Sequence, residues 1–142
     1  MEQATNDACV KAFRCLIADD SIFARKNIGK IVSLIGGEVV GEATNGKEAV
    51  ELYFRLRPDL VLLDITMPEL DGVDALKEIL EGDRNAKVIM VSSIGHREMV
   101  YKAMTLGAKH FVTKPYEPDY AGMIIKSILK RENGGSLCGM NT

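Results

Sequence analysis

The 142-residue sequence has little net charge, few cysteines and no long apolar run, and each shortage removes a class of function. No apolar stretch approaches the roughly 20 residues that a membrane-spanning helix needs. The first ten residues, Met1 to Val10, are polar and hold no signal-peptide core. With a net charge of -2 and basic residues scattered singly, there is no stripe or aromatic-interleaved patch for nucleic acid or a membrane surface. The three cysteines, Cys9, Cys15 and Cys138, are odd in number and widely spaced without C-x-x-C. That pattern argues against a disulfide framework or a zinc site. Cys15 lies in an apolar segment and reads as a small core residue. Gly36, Gly37 and Gly41 form neither G-x-G-x-x-G nor a P-loop, and there is no G-x-S-x-G elbow. His96 and His110 lack metal-ligand spacing and read as surface or supporting residues. The simplest setting is soluble, reducing and cytoplasmic.

What is present is a regular alternation. The length suits one domain with a full core. Strands are expected at Phe13–Ala18, Glu38–Ala43, Leu60–Asp64, Lys87–Ser92 and His110–Thr113. Between them, apolar residues recur at helical spacing: Ala24, Ile28, Ile31, Val32 and Ile35, then Ala49, Leu52, Tyr53 and Leu56. Val73, Leu76 and Leu80 follow, then Val100, Ala103, Met104 and Gly107, and finally Ala121, Ile124, Ile125 and Ile128. Asp20 or Ser21 is placed to cap the first helix, Gly36-Gly37 to stop it, and Pro118 to open the last. Five strands alternating with five helices predict an α/β fold, a single doubly wound parallel sheet. The expected organisation is a flexible arm over residues 1–11, one domain over 12–131 and a flexible tail over 132–142.

The polar residues at strand ends are the informative ones. The strands end in Asp19-Asp20, in Asp64, in Ser92-Ser93 and in Lys114. In a parallel sheet the carboxyl ends share one edge, where open α/β folds build their sites. Taken singly, these are ordinary caps and turn residues. Taken together, they bring carboxylates, hydroxyls and an ammonium to one crevice. Clustered carboxylates repel one another, and a hard divalent cation with oxygen ligands relieves this. Such a set suits phosphoryl chemistry, with one aspartate as nucleophile. Asp64 stands alone at the centre of the sheet and is the better nucleophile, whereas Asp19 and Asp20 suit the metal.

The sequence resembles a response-regulator receiver domain, most closely the stand-alone chemotaxis type. The resemblance rests on Ile17-Ala18-Asp19-Asp20-Ser21, Glu42-Ala43-Thr44-Asn45-Gly46, Leu63-Asp64-Ile65-Thr66-Met67-Pro68, Gly72, Met90-Val91-Ser92-Ser93, Gly107-Ala108 and Val112-Thr113-Lys114-Pro115-Tyr116. It implies a flavodoxin-like strand order 2-1-3-4-5. It implies that Asp64 accepts a phosphoryl group from a histidine kinase, and that Asp19, Asp20, Asp64 and the backbone carbonyl of Thr66 hold Mg²⁺. Lys114 would contact the phosphoryl group, Ser92 would swing toward it, Phe111 would turn inward as the switch aromatic, and the Lys114–Pro115 bond would be cis. The implied activity is a switch in partner binding, in chemotaxis or motor control, that catalyses only its own phosphorylation and dephosphorylation.

The implied output surface is that of the fourth helix, fifth strand and fifth helix, with Met99, Lys102, Phe111, Tyr116 and Tyr120 as candidates and a flagellar-motor switch component as the target. Three alternatives stay open here: a receiver cut from a larger regulator, an aspartyl-phosphate phosphatase, and a pseudo-receiver used only as an interaction module, against which the intact acidic set and Lys114 argue. The phosphatase family carries a second aspartate two residues after the nucleophile, where this chain has Thr66. Thr66 and Ile94 occupy the positions that flank the attacking water in receiver domains. Ile94 has no group to orient that water, so slow loss of phosphate is expected. Ile94→Asn should shorten the phosphoryl lifetime, read as phosphate release after removal of the donor; an unchanged or longer lifetime contradicts this role for Ile94.

Overall fold

Leu60, Val61, Leu62 and Leu63 point to alternate sides of their strand, yet all are buried, so that strand needs cover on both faces. A computed structural model, which describes residues 12–93 and 95–132, places it in mid-sheet. The strands are β1 (Phe13–Ala18), β2 (Gly37–Ala43), β3 (Leu60–Asp64), β4 (Val88–Ser93) and β5 (His110–Lys114). All pairings are parallel, in the order β2-β1-β3-β4-β5, which is the expected 2-1-3-4-5. The helices are α1 (Ile22–Leu34), α2 (Gly46–Leu56), α3 (Gly72–Gly82), α4 (Arg97–Leu106) and α5 (Pro118–Glu132). Residues 1–11 and 133–142, expected as arm and tail, lie outside the described residues, and α5 runs one residue past the expected domain end.

Strand alternation divides the interior in two. Cys15, Ile17, Leu60, Leu62, Ile89 and Val91 face α1 and α5. Leu16, Ala18, Val61, Leu63, Val88 and Met90 face α2, α3 and α4. Helix starts follow local chemistry: the side chains of Ser21, Asn45 and Asp71 accept from the backbone N–H groups of Ala24, Glu48 and Asp74. Glu48 also reaches back to accept from the Thr44 N–H at 2.7 Å, tying the preceding turn to the start of α2.

Four details differ from the sequence reading. Gly37 opens β2, and the turn after α1 is made by Ile35 and by Gly36 at φ 97°. The sequence reads as a polar loop over residues 82–86, yet Gly82 is the last residue of α3. In α3 the core positions belong to Ala75 and Ile79 beside Val73 and Leu76, while Leu80 is only partly buried. Met104 is exposed, and Ala103 alone is buried in α4, because this helix covers the sheet through a narrow strip.

The loop after β3 is held against the start of α3. The Gly72 N–H donates to the Ile65 carbonyl at 2.6 Å, and a Cβ on Gly72 would collide with the carbonyl oxygen of Asp64. Gly29, by contrast, has room: an added Cβ would meet Ile17 and Val39 only at 3.8 Å. Gly72→Ala should therefore cost about 2–4 kcal/mol in urea unfolding, whereas Gly29→Ala should add about 0.5–1 kcal/mol through helix propensity. Equal effects at both positions would contradict this packing.

Candidate functional site

Each candidate side chain is delivered by the end of a strand. Asp19 follows β1, and its N–H donates to the Ala43 carbonyl of β2 at 3.0 Å. Its carboxylate is buried and already engaged: Oδ1 accepts from the Ser21 N–H at 3.0 Å, and Oδ2 accepts from Lys114 Nζ at 2.8 Å. Asp20 is exposed beside it. Asp64 is the last residue of β3, only 6% exposed, with Oδ2 3.7 Å from Lys114 Nζ. Asp19, Asp20 and Asp64 each offer a carboxylate oxygen, and these lie within 4.8 Å of one another.

Ser92 is buried on β4, one residue beyond the Val91 that faces Asp64 in register, and its hydroxyl donates to the Ser93 carbonyl at 3.0 Å. Lys114 closes β5, paired in register with Ser93, and the following bond to Pro115 is cis, as the resemblance implies. Thr66 is exposed in the loop after β3. Phe111 stands further back on β5, 36% exposed, its ring tilted against His110. Thus Asp19, Asp20, Asp64 and Lys114 come together, Ser92 lies on the neighbouring strand end, and Phe111 lies on the outer strand. Ile94 lies outside the described residues.

The electrostatics follow from this crowding. Burial pushes the Asp64 carboxyl up to about 6; the Asp19 charge adds to the rise, Lys114 opposes it and Asp20 adds further. For Lys114, burial works to lower the pKa, but the hydrogen bond it donates to Asp19 and the charges of Asp64 and Asp19 outweigh it, and the net shift is upward. Lys114 is therefore a fixed cation among carboxylates.

Sequence reasoning missed Arg25. Its Nη1 donates to the Asp19 carbonyl at 2.8 Å and its Nε to Glu42 Oε1 at 2.7 Å, tying the acidic turn to β2. An arginine on a helix face carries no signal of such a tie; its partner Glu42 comes from a strand 17 residues away.

The donor set itself tests what cation suits the site. Three hard oxygen donors converge, and burial together with their mutual repulsion raises the pKa of one of them despite Lys114. That is the chemistry of a small divalent cation such as Mg²⁺.

This geometry agrees with the comparisons. The chain matches the response regulator receiver domain family over residues 15–126 and belongs to it. It is a phosphorelay response regulator closely related to chemotaxis proteins. It is 52% identical over 105 residues to the chemotaxis protein CheY of Thermotoga maritima, covering 74% of this chain and 88% of that one. It is 51% identical over 108 residues to CheY of Bacillus subtilis, covering 76% and 90%. Among solved structures, a chain in the CheX–CheY–BeF₃–Mg²⁺ complex from Borrelia burgdorferi superposes with a TM-score of 0.78 at 38% identity, covering 82% of this chain and 88% of that one. Receiver domains bind Mg²⁺ at an acidic pocket and work with histidine kinases and output proteins. No described helix is long and apolar enough to cross a membrane.

A raised carboxyl pKa has a definite stability sign. Between its unfolded value near 4 and about 6, the folded chain binds the Asp64 proton more tightly than the unfolded chain does. Stability is therefore lost as pH rises through that window, and the loss is complete above it. In EDTA near pH 7.5, Asp64→Asn should raise stability by about 1–2 kcal/mol after allowance for solvent screening, a Tm gain on the order of 5 °C. An unchanged or lower Tm would contradict the repulsion described.

Proposed function

We propose that Asp64 is the phosphoacceptor of this response regulator, and that phosphorylation there switches binding of an output partner. The observation that carries this reading is the carboxylate of Asp64. It stands buried at the end of the central strand, grouped with two other carboxylates and 3.7 Å from one ammonium.

In the transfer, an Asp64 carboxylate oxygen attacks the phosphorus of a kinase phosphohistidine. The P–N bond breaks, and its electron pair stays on the imidazole nitrogen, which takes up a proton. Asp19, Asp20, Asp64 and the Thr66 carbonyl would hold Mg²⁺, which supplies positive charge for the phosphoryl oxygens. Lys114, now bonded to Asp19, is within reach to pair with the new dianion as well. Ser92 would exchange its bond to the Ser93 carbonyl for one to a phosphoryl oxygen. Movement of Ser92 would free space on the β4–β5 side, into which Phe111 turns.

Those shifts bias a two-state equilibrium at the surface of α4, β5 and α5. Tyr101, Lys102, Phe111 and Tyr120 are exposed there, with Met104 beside them, so aromatic anchors are available to a partner. Met99 and Tyr116, also candidates from sequence, are partly buried against the two cores and serve as packing. The chemotaxis relatives favour a flagellar-motor switch component as the target and the cytoplasm as the compartment.

Incubation with acetyl phosphate and Mg²⁺ should give an acid-stable, base-labile adduct, mapped to Asp64 by mass spectrometry. The Asp64→Asn protein should give none. An adduct that persists in Asp64→Asn, or fails to form in the unaltered protein, overturns the assignment.

A further inference from the structure

The chain as a whole is slightly acidic, yet one helix is wholly cationic. α1 carries Arg25, Lys26 and Lys30 and no acidic residue. Lys26 and Lys30 are four apart, a like-charge pair that destabilises a helix. Both are exposed, and neither has an ion-pair or hydrogen-bond partner among the described residues. Arg25 differs, being held by Glu42 and the Asp19 carbonyl.

Beside this helix runs a groove of about 520 Å³, between α1 and the edge strand β2. Its floor is apolar: Ile17, Val39 and the bare backbone of Gly29. Its rim holds Lys26, Lys30 and Leu34. Leu34 is 84% exposed and Phe23 79%, more than any other large apolar side chain among the described residues. Positions 23, 26, 30 and 34 fall on one helical face, so two unpartnered cations are bracketed by two unpartnered apolar groups.

We infer that this groove is a docking surface for an acidic segment of a partner protein, whose carboxylates pair with Lys26 and Lys30 while an aliphatic side chain sits on Ile17 and Val39. Charge complementarity selects the occupant. Glu42 lines the same groove, and only two cations are free, which disfavours a phosphate polymer or an anionic membrane. Lys26, Lys30 and Leu34 lie outside the acidic site, so the inference stands apart from the phosphoacceptor reading.

The test is titration of ¹⁵N-labelled protein with a short synthetic peptide of alternating leucine and glutamate. Amide shifts should centre on Lys26, Gly29, Lys30 and Val39. The Lys26→Glu/Lys30→Glu protein should bind at least about tenfold more weakly and should gain affinity for the peptide with lysine in place of glutamate. Gly29→Leu, which fills the groove without changing charge, should weaken binding similarly. Thermal melts confirm that each variant is folded. Shifts centred elsewhere, unchanged affinity in both variants, equal binding of a control peptide with glutamine in place of glutamate, or tighter binding of single-stranded DNA or anionic vesicles would each overturn the proposal.

Discussion

The burial of a carboxylate among other carboxylates at the carboxyl edge of the sheet is the constraint on which the rest of this structure depends. Asp19, Asp20 and Asp64 crowd together; burial, with the Asp19 and Asp20 charges adding to it, pushes the Asp64 carboxyl up to about 6. A single ammonium, from Lys114, restrains them. That arrangement costs stability in the metal-free chain, and the fold supplies the rigidity to hold it. β3 is buried on both faces, the Gly72 N–H holds the Ile65 carbonyl, and Arg25 holds the Asp19 turn.

The same repulsion makes the site responsive. A group that enters with positive charge relieves it, and one that enters with negative charge must find Lys114 and the metal. Ser92 lies one strand away with its hydroxyl on the Ser93 carbonyl. The chemistry at the edge of β3 and the exposed aromatics of α4 and β5 are joined through β4 and β5, which pair over five residues from Ile89 to Ser93.

Much of this was legible in the sequence. The continuous apolar run of β3, with its terminal Asp64, declared a central parallel strand, and the strand-end residues converged because parallel strands share an edge. The strand order came from the family resemblance, because alternation alone does not order a sheet. Where the reading failed, long-range packing decided. Met104 has helical register but lies outside the narrow strip where α4 meets the sheet. Ile79 outranked Leu80 because α3 lies between α2 and α4, which widens its buried face. Arg25 was invisible because its partners are a backbone carbonyl and a distant strand.

The claim that burial and carboxylate crowding together govern Asp64, with Lys114 as the restraint, has one direct measurement: a ¹³C-carboxyl NMR titration of Asp64 in metal-free protein. The account predicts a midpoint near 6, displaced upward in Lys114→Met and downward by Mg²⁺. A midpoint at the ordinary aspartate value of about 4, unmoved by loss of Lys114, would contradict it.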